Sequence, residues 1–339
     1  MSNQVTVKPR VPIYDYARVF VAYLVILGHC LPDDDMRLRP YIYAFHMPFF
    51  FLVSGMLHRE MGYIPWKKLL RTLLIPYLFF NAIYYLLTPF FLRFNIINSL
   101  NNYNLDISKG TIHVYIDFFV QWCKNFIKGN TAPDGPTWFI LALFWCKLFT
   151  SIINKHKIWL LVMLVFMVIG IYYQVYYFMI GNAMMVMPFF LAGFHFKLKP
   201  VELVPQKFSL ILGIVLIICS IFLTLYNGRV SVWRIKFGHA PHHLAFIIFY
   251  LNAFLASYGV LFICKLFKEN KLITICANAL ISILCIQLMF CYPFRTHGFR
   301  ESILLCCVVS LGIFIICVLL HYLTLKYIPF VLGKGKRKE

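Results

Sequence analysis

Residues 13–31 read IYDYARVFVAYLVILGHCL, an apolar run that contains one acidic and two basic side chains, Asp15, Arg18 and His29. A helix of this length rises about 29 Å, which matches the roughly 30 Å hydrocarbon core of a bilayer. Backbone groups in lipid must be hydrogen-bonded within their own segment. The run is therefore predicted to be a transmembrane helix with polar groups at both ends.

The rest of the chain repeats this pattern of long apolar runs. Hydrophobic residues make up 61% of the 339 residues and charged residues 13%, whereas soluble domains carry about 25% charged residues. A soluble protein is excluded, and the predicted fold is all-α: one polytopic membrane domain over residues 1–339 with about ten transmembrane helices. The predicted spans lie near residues 13–31, 41–58, 69–92, 136–153, 158–178, 182–197, 207–226, 243–264, 272–293 and 300–325.

The basic residues indicate how these spans are oriented. The net charge is +20, but Lys and Arg occur in short clusters between spans and form no basic arm, so nucleic-acid binding is not expected. With the N-terminus in the cytoplasm, 19 of the 32 Lys and Arg residues fall in inner segments and 11 in outer segments. The positive-inside rule therefore predicts that both termini, including the basic tail at 331–339, are cytoplasmic.

The long connection at residues 93–135 is predicted to lie on the outer side. It begins with the polar run NIINSLNNYN and continues as an amphipathic stretch from Thr111 to Lys128. Such a stretch predicts a helix along the outer membrane interface. The alternative is a disordered loop.

Eleven cysteines are scattered mostly inside the spans, with neither a CxxC motif nor the paired Cys and His spacing of a zinc site. Neither a metal site nor a bound cofactor is expected. Cys30, Cys123 and Cys291 lie near span ends, where a disulfide is possible, but the sequence does not determine a pairing.

Ionisable side chains inside a span are costly and mark functional sites by default. Arg18 and His29 are eleven residues apart, which corresponds to about 1100° of helical rotation and about 16 Å of rise. Both side chains are predicted to face one way, Arg18 near the inner end and His29 near the outer end. Asp15, three residues before Arg18, is placed for an ion pair with it. Alternatively, Arg18 only reaches the inner headgroups and His29 only caps the helix.

A second histidine is predicted close to His29. Residues 41–48 read YIYAFHMP, and the first two spans are joined by a short loop, so His46 re-enters the membrane near the level at which His29 leaves it. Imidazole takes and returns a proton near neutral pH, as acyl transfer to a hydroxyl requires. Taken alone, His46 is explained equally well as a histidine that packs in the core.

These residues resemble the acyltransferase-3 family, integral-membrane enzymes that acylate surface carbohydrates and related acceptors. Three stretches carry the resemblance: DYARVFVAYLVILGH at 15–29, IYAFHMPFFFLVSGML at 42–57 and PTWFILALF at 136–144. The later run MPFFLAGFHF at 187–196 is also similar to a span of the family. The likeness covers essentially the whole chain.

The resemblance implies an O-acetyltransferase in the inner (cytoplasmic) membrane of the cell. Its donor would be cytosolic acetyl-CoA and its acceptor a hydroxyl of a lipid-linked or cell-surface glycan. Arg18, with Asp15 beside it, would hold the donor, because a guanidinium offers a fixed fork of hydrogen-bond donors. His29 would act as general base or carry the acyl group as a nucleophile, and His46 would assist it. The sequence does not separate the two roles of His29.

Four further residues are expected to contact the substrate. Trp138 offers a platform for a sugar face, although it is equally credible as an interfacial belt residue. Gln287 stands where many relatives have a histidine, so we expect it to orient the substrate by hydrogen bonding without transferring a proton. Tyr43 and Ser54, from the second-span motif, belong to the same group.

The leading alternative function is a transporter or flippase for a glycan or other polar substrate, because intramembrane Arg and His also line permeation paths. That function predicts broken helices in matching halves, which the sequence does not show. A structural or receptor role would leave the alignment of Arg18 and His29 unexplained. The outer loop that contains Arg229 and Arg234 fits recognition of an acidic glycan, but a solvated loop is slightly favoured.

Overall fold

The structure is a computed structural model. It describes residues 10–32, 35, 37–59, 63–97, 104–127, 135–153, 161, 165, 168, 177–232, 236–296 and 302–334. Over these residues the regular structure is helical, apart from one isolated bridge between Ser231 and Lys236. The predicted all-α class is confirmed.

The α-helices of the described residues pack into one bundle around a shared core. We call the end at which α1 begins the lower end and the end at which α1 finishes the upper end. The helices are α1 (Pro12–Cys30), α2 (Leu38–Met56), α3 (Trp66–Leu69), α4 (Ile75–Arg93), α5 (Thr111–Ile127), α6 (Trp138–Ile153), α7 (Ile180–Phe196), α8 (Lys199–Glu202), α9 (Gln206–Asn227), α10 (His242–Cys264), α11 (Lys271–Asn278), α12 (Leu280–Thr296) and α13 (Ile303–Tyr327), with a π-helical turn (Leu70–Leu74) joining α3 to α4.

The lengths of these helices fit a membrane protein. In the described residues six helices are long and apolar enough to cross a bilayer, and the bent pair α11–α12 raises this number to seven. The 16-residue α6 is a shorter apolar helix. The predicted span near 158–178 lies almost wholly outside the described residues. A multi-pass membrane protein is therefore indicated, whereas the number of ten spans and the orientation of the termini stay predictions.

Helix α1 lies between α2 on one side and α12 and α13 on the other. It begins with a proline, whose fixed φ and missing N–H suit the first turn of a helix. Ala17, Val21 and Ala22 on its buried face have no exposed surface. Small side chains of this kind allow helices to approach closely in lipid, where packing replaces the hydrophobic effect as the driving force.

Helices α2 and α7 cross in backbone contact. A Cβ added to Gly55 would lie 1.9 Å from the carbonyl oxygen of Phe190, and one added to Gly193 would lie 1.9 Å from that of Leu52. Only glycine fits at these two positions, because any side chain would overlap the opposite backbone. The crossing fixes the lower half of α2 against α7.

A buried hydrogen-bond network joins α9 to α10. The hydroxyl of Ser220 donates to Oδ1 of Asn252, and Nδ2 of Asn252 donates to the Thr224 hydroxyl at 2.9 Å. All three side chains are buried. Polar contacts of this kind add to the packing of transmembrane helices, so the pair forms a stable unit beside α2.

Helix α1 is attached to both arms of the bent pair α11–α12. The two arms meet at Ala279 with a bend of 69°. At the lower end Nη2 of Arg10 donates to Oδ1 of Asn278 at 2.6 Å. At the upper end the Sγ atoms of Cys30 and Cys291 lie 3.8 Å apart and are not joined by a disulfide. Of the three cysteines named from the sequence, these two are neighbours.

The amphipathic stretch in the long connection forms α5, which packs against α4. The hydroxyl of Tyr85 donates to the carbonyl of Tyr115 at 2.7 Å, and Phe118 is fully buried beside it. Ile112 and Ile116 remain exposed. An apolar exposed face fits a position at the membrane interface, which stays a prediction.

Candidate active site

His29 and Tyr43 meet where α1 ends and α2 begins. Gly28 makes this possible: a Cβ at that position would lie 3.1 Å from Cγ2 of Ile42 and 3.2 Å from Cε2 of Tyr43. The Tyr43 hydroxyl lies 3.1 Å from Nδ1 of His29, and the two rings are arranged edge to face with centroids 5.9 Å apart. This contact holds the imidazole of His29 by one nitrogen and leaves Nε2 for a substrate.

His46 lies on the other side of Tyr43. The two rings meet edge to face with centroids 5.2 Å apart, and only 5% of the His46 surface is exposed. Its Nδ1 is 2.7 Å from the carbonyl oxygen of Ile42. A carbonyl oxygen only accepts, so Nδ1 carries the proton and Nε2 of the neutral ring carries the lone pair. Tyr43 thus connects the two histidines that the sequence predicted to converge.

Arginine side chains surround this group. The guanidinium carbons of Arg39 and Arg229 lie 5.5 and 5.9 Å from the centroid of the Tyr43 ring. Arg39 is buried and donates to the carbonyl of Pro32 at 3.0 Å. Arg39 and Arg295 both act electrostatically on His29. The upper site therefore combines two imidazoles with a positive potential, which favours negative charge developing on a reacting oxygen.

The lower end of α1 holds a separate ion network. Asp15, 4% exposed, accepts from Nη2 of Arg18 at 2.5 Å and from Nε of Arg10 at 2.9 Å. Nε of Arg18 also donates to the carbonyl of Tyr14 at 3.1 Å. The Asp15–Arg18 ion pair expected from the sequence is present, with Arg10 as a second cation.

Buried apolar side chains lie on α1 between the two polar ends. Val21, Ala22 and Val25 fall between Arg18 and His29 along the helix, and none is more than 3% exposed. The structure therefore brings His29, Tyr43 and His46 together and keeps Arg18 with Asp15 about 16 Å below them.

The remaining predicted substrate residues occupy different places. Trp138 is 7% exposed and packs against Phe51 with ring centroids 6.3 Å apart, so its ring lies inside the bundle. Ser54 is eleven residues beyond Tyr43 on α2, about 16 Å toward the lower end. Gln287 is fully buried on α12 one turn below Cys291, and its amide atoms have no hydrogen-bond partner among the described residues.

The sequence predicts neither Arg39 nor Arg295 as a site residue, and it predicts Arg229 only as part of an outer loop that fits an acidic glycan. Arg39 precedes Tyr43 by four residues, a spacing that indicates contact on one helix face. Arg295 lies at the end of an apolar span. Arg229 lies in a loop, where the chain offers no periodicity from which its contact with Tyr43 could be inferred.

Comparison with known proteins gave one family. The family model described as "Acyltransferase domain", acyltransferase-3, matches residues 11–322 of the 339. No curated protein and no solved structure matches the chain. The matched range includes both ends of α1, all of α2 and the upper site.

Proposed function

The chain belongs to the acyltransferase-3 family, and from this premise we propose that it transfers an acetyl group from cytosolic acetyl-CoA to a hydroxyl of a lipid-linked or cell-surface glycan. The family match and the apolar helices support the broader statement that it is a multi-pass membrane acyltransferase. The acetyl donor, the glycan acceptor, the contacts with surrounding lipids and the location in the cell inner membrane belong to the proposal.

The observation that supports this function best is the His29–Tyr43–His46 group. When Nδ1–H of His29 donates to the Tyr43 oxygen, Nε2 has the free lone pair. That nitrogen takes the proton of the acceptor hydroxyl as its oxygen attacks the thioester carbonyl. The C–S bond then breaks, and the thiolate of coenzyme A takes up a proton. His46, held through Nδ1 by Ile42, has a second Nε2 lone pair on the other side of the same tyrosine.

The positive potential of the upper site has a role in this reaction. The attacked carbonyl oxygen becomes negative in the transition state, and fixed cations close to it lower the barrier. Arg39, Arg229 and Arg295 supply such charges around His29 and Tyr43. The same nitrogen of His29 would hold the acetyl group if the reaction passed through an acyl-enzyme.

The donor approaches from the lower end in this proposal. The positive-inside rule assigns that end to the cytoplasm, and the Arg18–Asp15 pair lies there. The acetyl group has to travel about 16 Å along α1 to reach His29. Val21, Ala22 and Val25 lie on this route, so the proposal requires neighbouring helices to separate along α1 during turnover.

The transporter or flippase alternative has no support from the family match. It predicts movement of a substrate without consumption of acetyl-CoA. Assays with labelled acetyl-CoA distinguish the two functions, because only the transferase places the label on the acceptor.

The proposed function is tested by mass spectrometry of surface and lipid-linked glycans from cells with and without the protein. We expect glycans from cells with the protein to be heavier by one acetyl group. His29→Ala should abolish the difference while the protein stays inserted at normal abundance. His113→Ala, which removes an exposed histidine of α5, should retain it. Identical glycans with and without the wild-type protein would refute the proposal.

A further inference from the structure

Four basic side chains lie near one another at the lower end of the bundle. His58 follows the end of α2, Lys68 lies in α3, Lys147 in α6 and Lys197 directly after α7. Lys147, Lys68 and Lys197 all act electrostatically on His58. We call these four residues the lower basic cluster.

His58 is fixed in position by aromatic rings. Its imidazole packs against Phe190 and Phe194 of α7, with both pairs of ring centroids 5.5 Å apart. The Gly55–Gly193 crossing brings α2 and α7 into this contact. Burial, followed by the charges of Lys147, Lys68 and Lys197, lowers the pKa of His58 to about 4. His58 is therefore neutral near pH 7, and the positive charge of the cluster resides on its lysines.

Lys147 is the most unusual member, because it lies within an apolar helix. It is partly buried, and Lys68 lies close enough to act on its charge. Contact between Trp66 and Phe144, with ring centroids 6.5 Å apart, holds α3 beside this part of α6. Lys68 is exposed, whereas the partly buried Lys147 loses hydration and is repelled by the like charge of Lys68.

Three other cations at the lower end, Arg10, Arg18 and Lys265, have compensating partners. Arg10 and Arg18 share the carboxylate of Asp15. Lys265 donates to the carbonyls of Val201 and Val204 at 2.8 and 2.6 Å. In contrast, no carboxylate within the described residues forms an ion pair with a member of the lower basic cluster. A bound anion would supply the missing compensation.

We propose that the lower basic cluster binds the phosphate groups of the acyl donor, an inference that rests on the proposed function. Coenzyme A carries a pyrophosphate and a phosphate monoester, and lysine binds phosphate as a compact point charge. The headgroup of an anionic lipid offers the same phosphate chemistry with less charge. Several lysines drawn from separate segments suit the more highly charged donor better. Phosphate binding is thereby assigned to the cluster, because the charge of Arg18 is already compensated by Asp15.

The test uses the full-length protein in nanodiscs of phosphatidylcholine, which has no net charge. Binding of coenzyme A, dephospho-coenzyme A and pantetheine is measured for the wild type and for Lys147→Ala and Lys68→Ala. Each substitution should weaken coenzyme A binding about tenfold or more, since a charge-assisted hydrogen bond is lost. Pantetheine, which has no phosphate, should bind equally to all forms. Lys207→Ala, which removes an exposed lysine at the start of α9, should bind coenzyme A like the wild type.

Kinetics separate this inference from the proposed function. Where acetyl transfer occurs, the two cluster variants should raise KM for acetyl-CoA and leave kcat nearly unchanged. A wild type that binds coenzyme A through these lysines but transfers no acetyl group would refute the proposed function and leave the inference standing. A wild type that transfers acetyl while both variants bind coenzyme A normally would refute the inference alone.

Two further outcomes would overturn the inference. The first is a wild type that does not bind coenzyme A. The second is a change confined to lipid binding: in nanodiscs with phosphatidylglycerol, Lys147→Ala and Lys68→Ala would lower the amount of anionic lipid retained and leave coenzyme A affinity unaltered. The cluster would then be a headgroup site.

Discussion

The hydroxyl of Tyr43 lies 3.1 Å from Nδ1 of His29. This contact joins the last turn of α1 to the first turns of α2 and sets the orientation of the imidazole. A hydrogen bond of this kind determines which ring nitrogen faces the substrate. It also makes the role of His29 testable without removing the histidine.

Tyr43→Phe should lower acetyl transfer about tenfold, because the imidazole loses its orienting hydrogen bond while both rings keep their packing. The measurement is kcat with acetyl-CoA, together with the melting temperature. Tyr322→Phe removes a comparable hydroxyl, which donates to the carbonyl of Ile275 at the lower end, and should leave kcat unchanged. Equal activity of Tyr43→Phe and the wild type would refute the positioning role.

Gly55→Ala should destabilise the protein by about 1–3 kcal/mol or more, since the new methyl group overlaps the backbone of α7. The melting temperature in detergent measures this effect. Gly312→Ala is the matched control: a Cβ there meets no atom within 4 Å, and alanine favours a helix over glycine. Equal melting temperatures for Gly55→Ala and Gly312→Ala would contradict the backbone contact of α2 and α7.

Asp15→Asn should lower stability, because Arg10 and Arg18 lose their shared carboxylate. We expect about 1–3 kcal/mol, less than for a fully buried pair, since the Arg10 side chain is 40% exposed. Asp117→Asn breaks an exposed contact with Lys109 at 3.8 Å and should change the melting temperature little. Adding Arg18→Gln to Asp15→Asn should recover part of the loss. A double variant less stable than Asp15→Asn would count against charge compensation.

Gln287→Leu should raise stability and lower activity. Both amide atoms of Gln287 are buried without a partner in the described part of the chain, and such groups cost about 1–3 kcal/mol. A leucine removes that cost and also any hydrogen bond to a substrate. Thermal melting and acetyl transfer are measured on the same preparation, with the exposed Gln206→Leu as control. Unchanged transfer by Gln287→Leu would remove Gln287 from the substrate site.

His58 should make the unliganded protein less stable in mild acid. Its pKa is lowered to about 4 in the folded protein, against about 6.5 in an unfolded chain. Between these values the unfolded state binds a proton that the folded state does not, so stability falls as pH decreases from about 6.5 to 4. His58→Gln should reduce the fall in melting temperature over this window, and His113→Gln should not. If the melting temperatures of His58→Gln and the wild type fall equally between about pH 6.5 and 4, the burial of His58 is contradicted.

Much of the site on the first two helices was predictable. The spacing of Arg18 and His29 and the short loop before His46 follow from helix geometry and membrane thickness, and they place groups at two depths. The family was also recognisable from those motifs, and the family match confirms it. These features depend on residues close in sequence, where the helical period determines position.

Contacts between distant segments were not predictable in the same way. Lys147 lies inside the predicted span at 136–153, and the general rule for membranes marks such a position as a functional site. Its neighbours Lys68 and Lys197 come from other helices, and no single-sequence pattern indicates which helices pack together. The packing of Trp138 against Phe51 likewise depends on a tertiary contact.

The bend of 69° at Ala279 has a mechanical consequence. Helix α1 is tied to the lower arm through Arg10 and Asn278 and touches the upper arm where Cys30 meets Cys291. Asn278 is the last residue of α11 and adjoins the bend, so α1 is held at the elbow itself and again partway along the upper arm. Because one joint lies at the bend and the other on the upper arm, we expect α1 to stay with α12 if the elbow opens or closes, so that the turn that carries His29 keeps its place beside Cys291 while α11 moves.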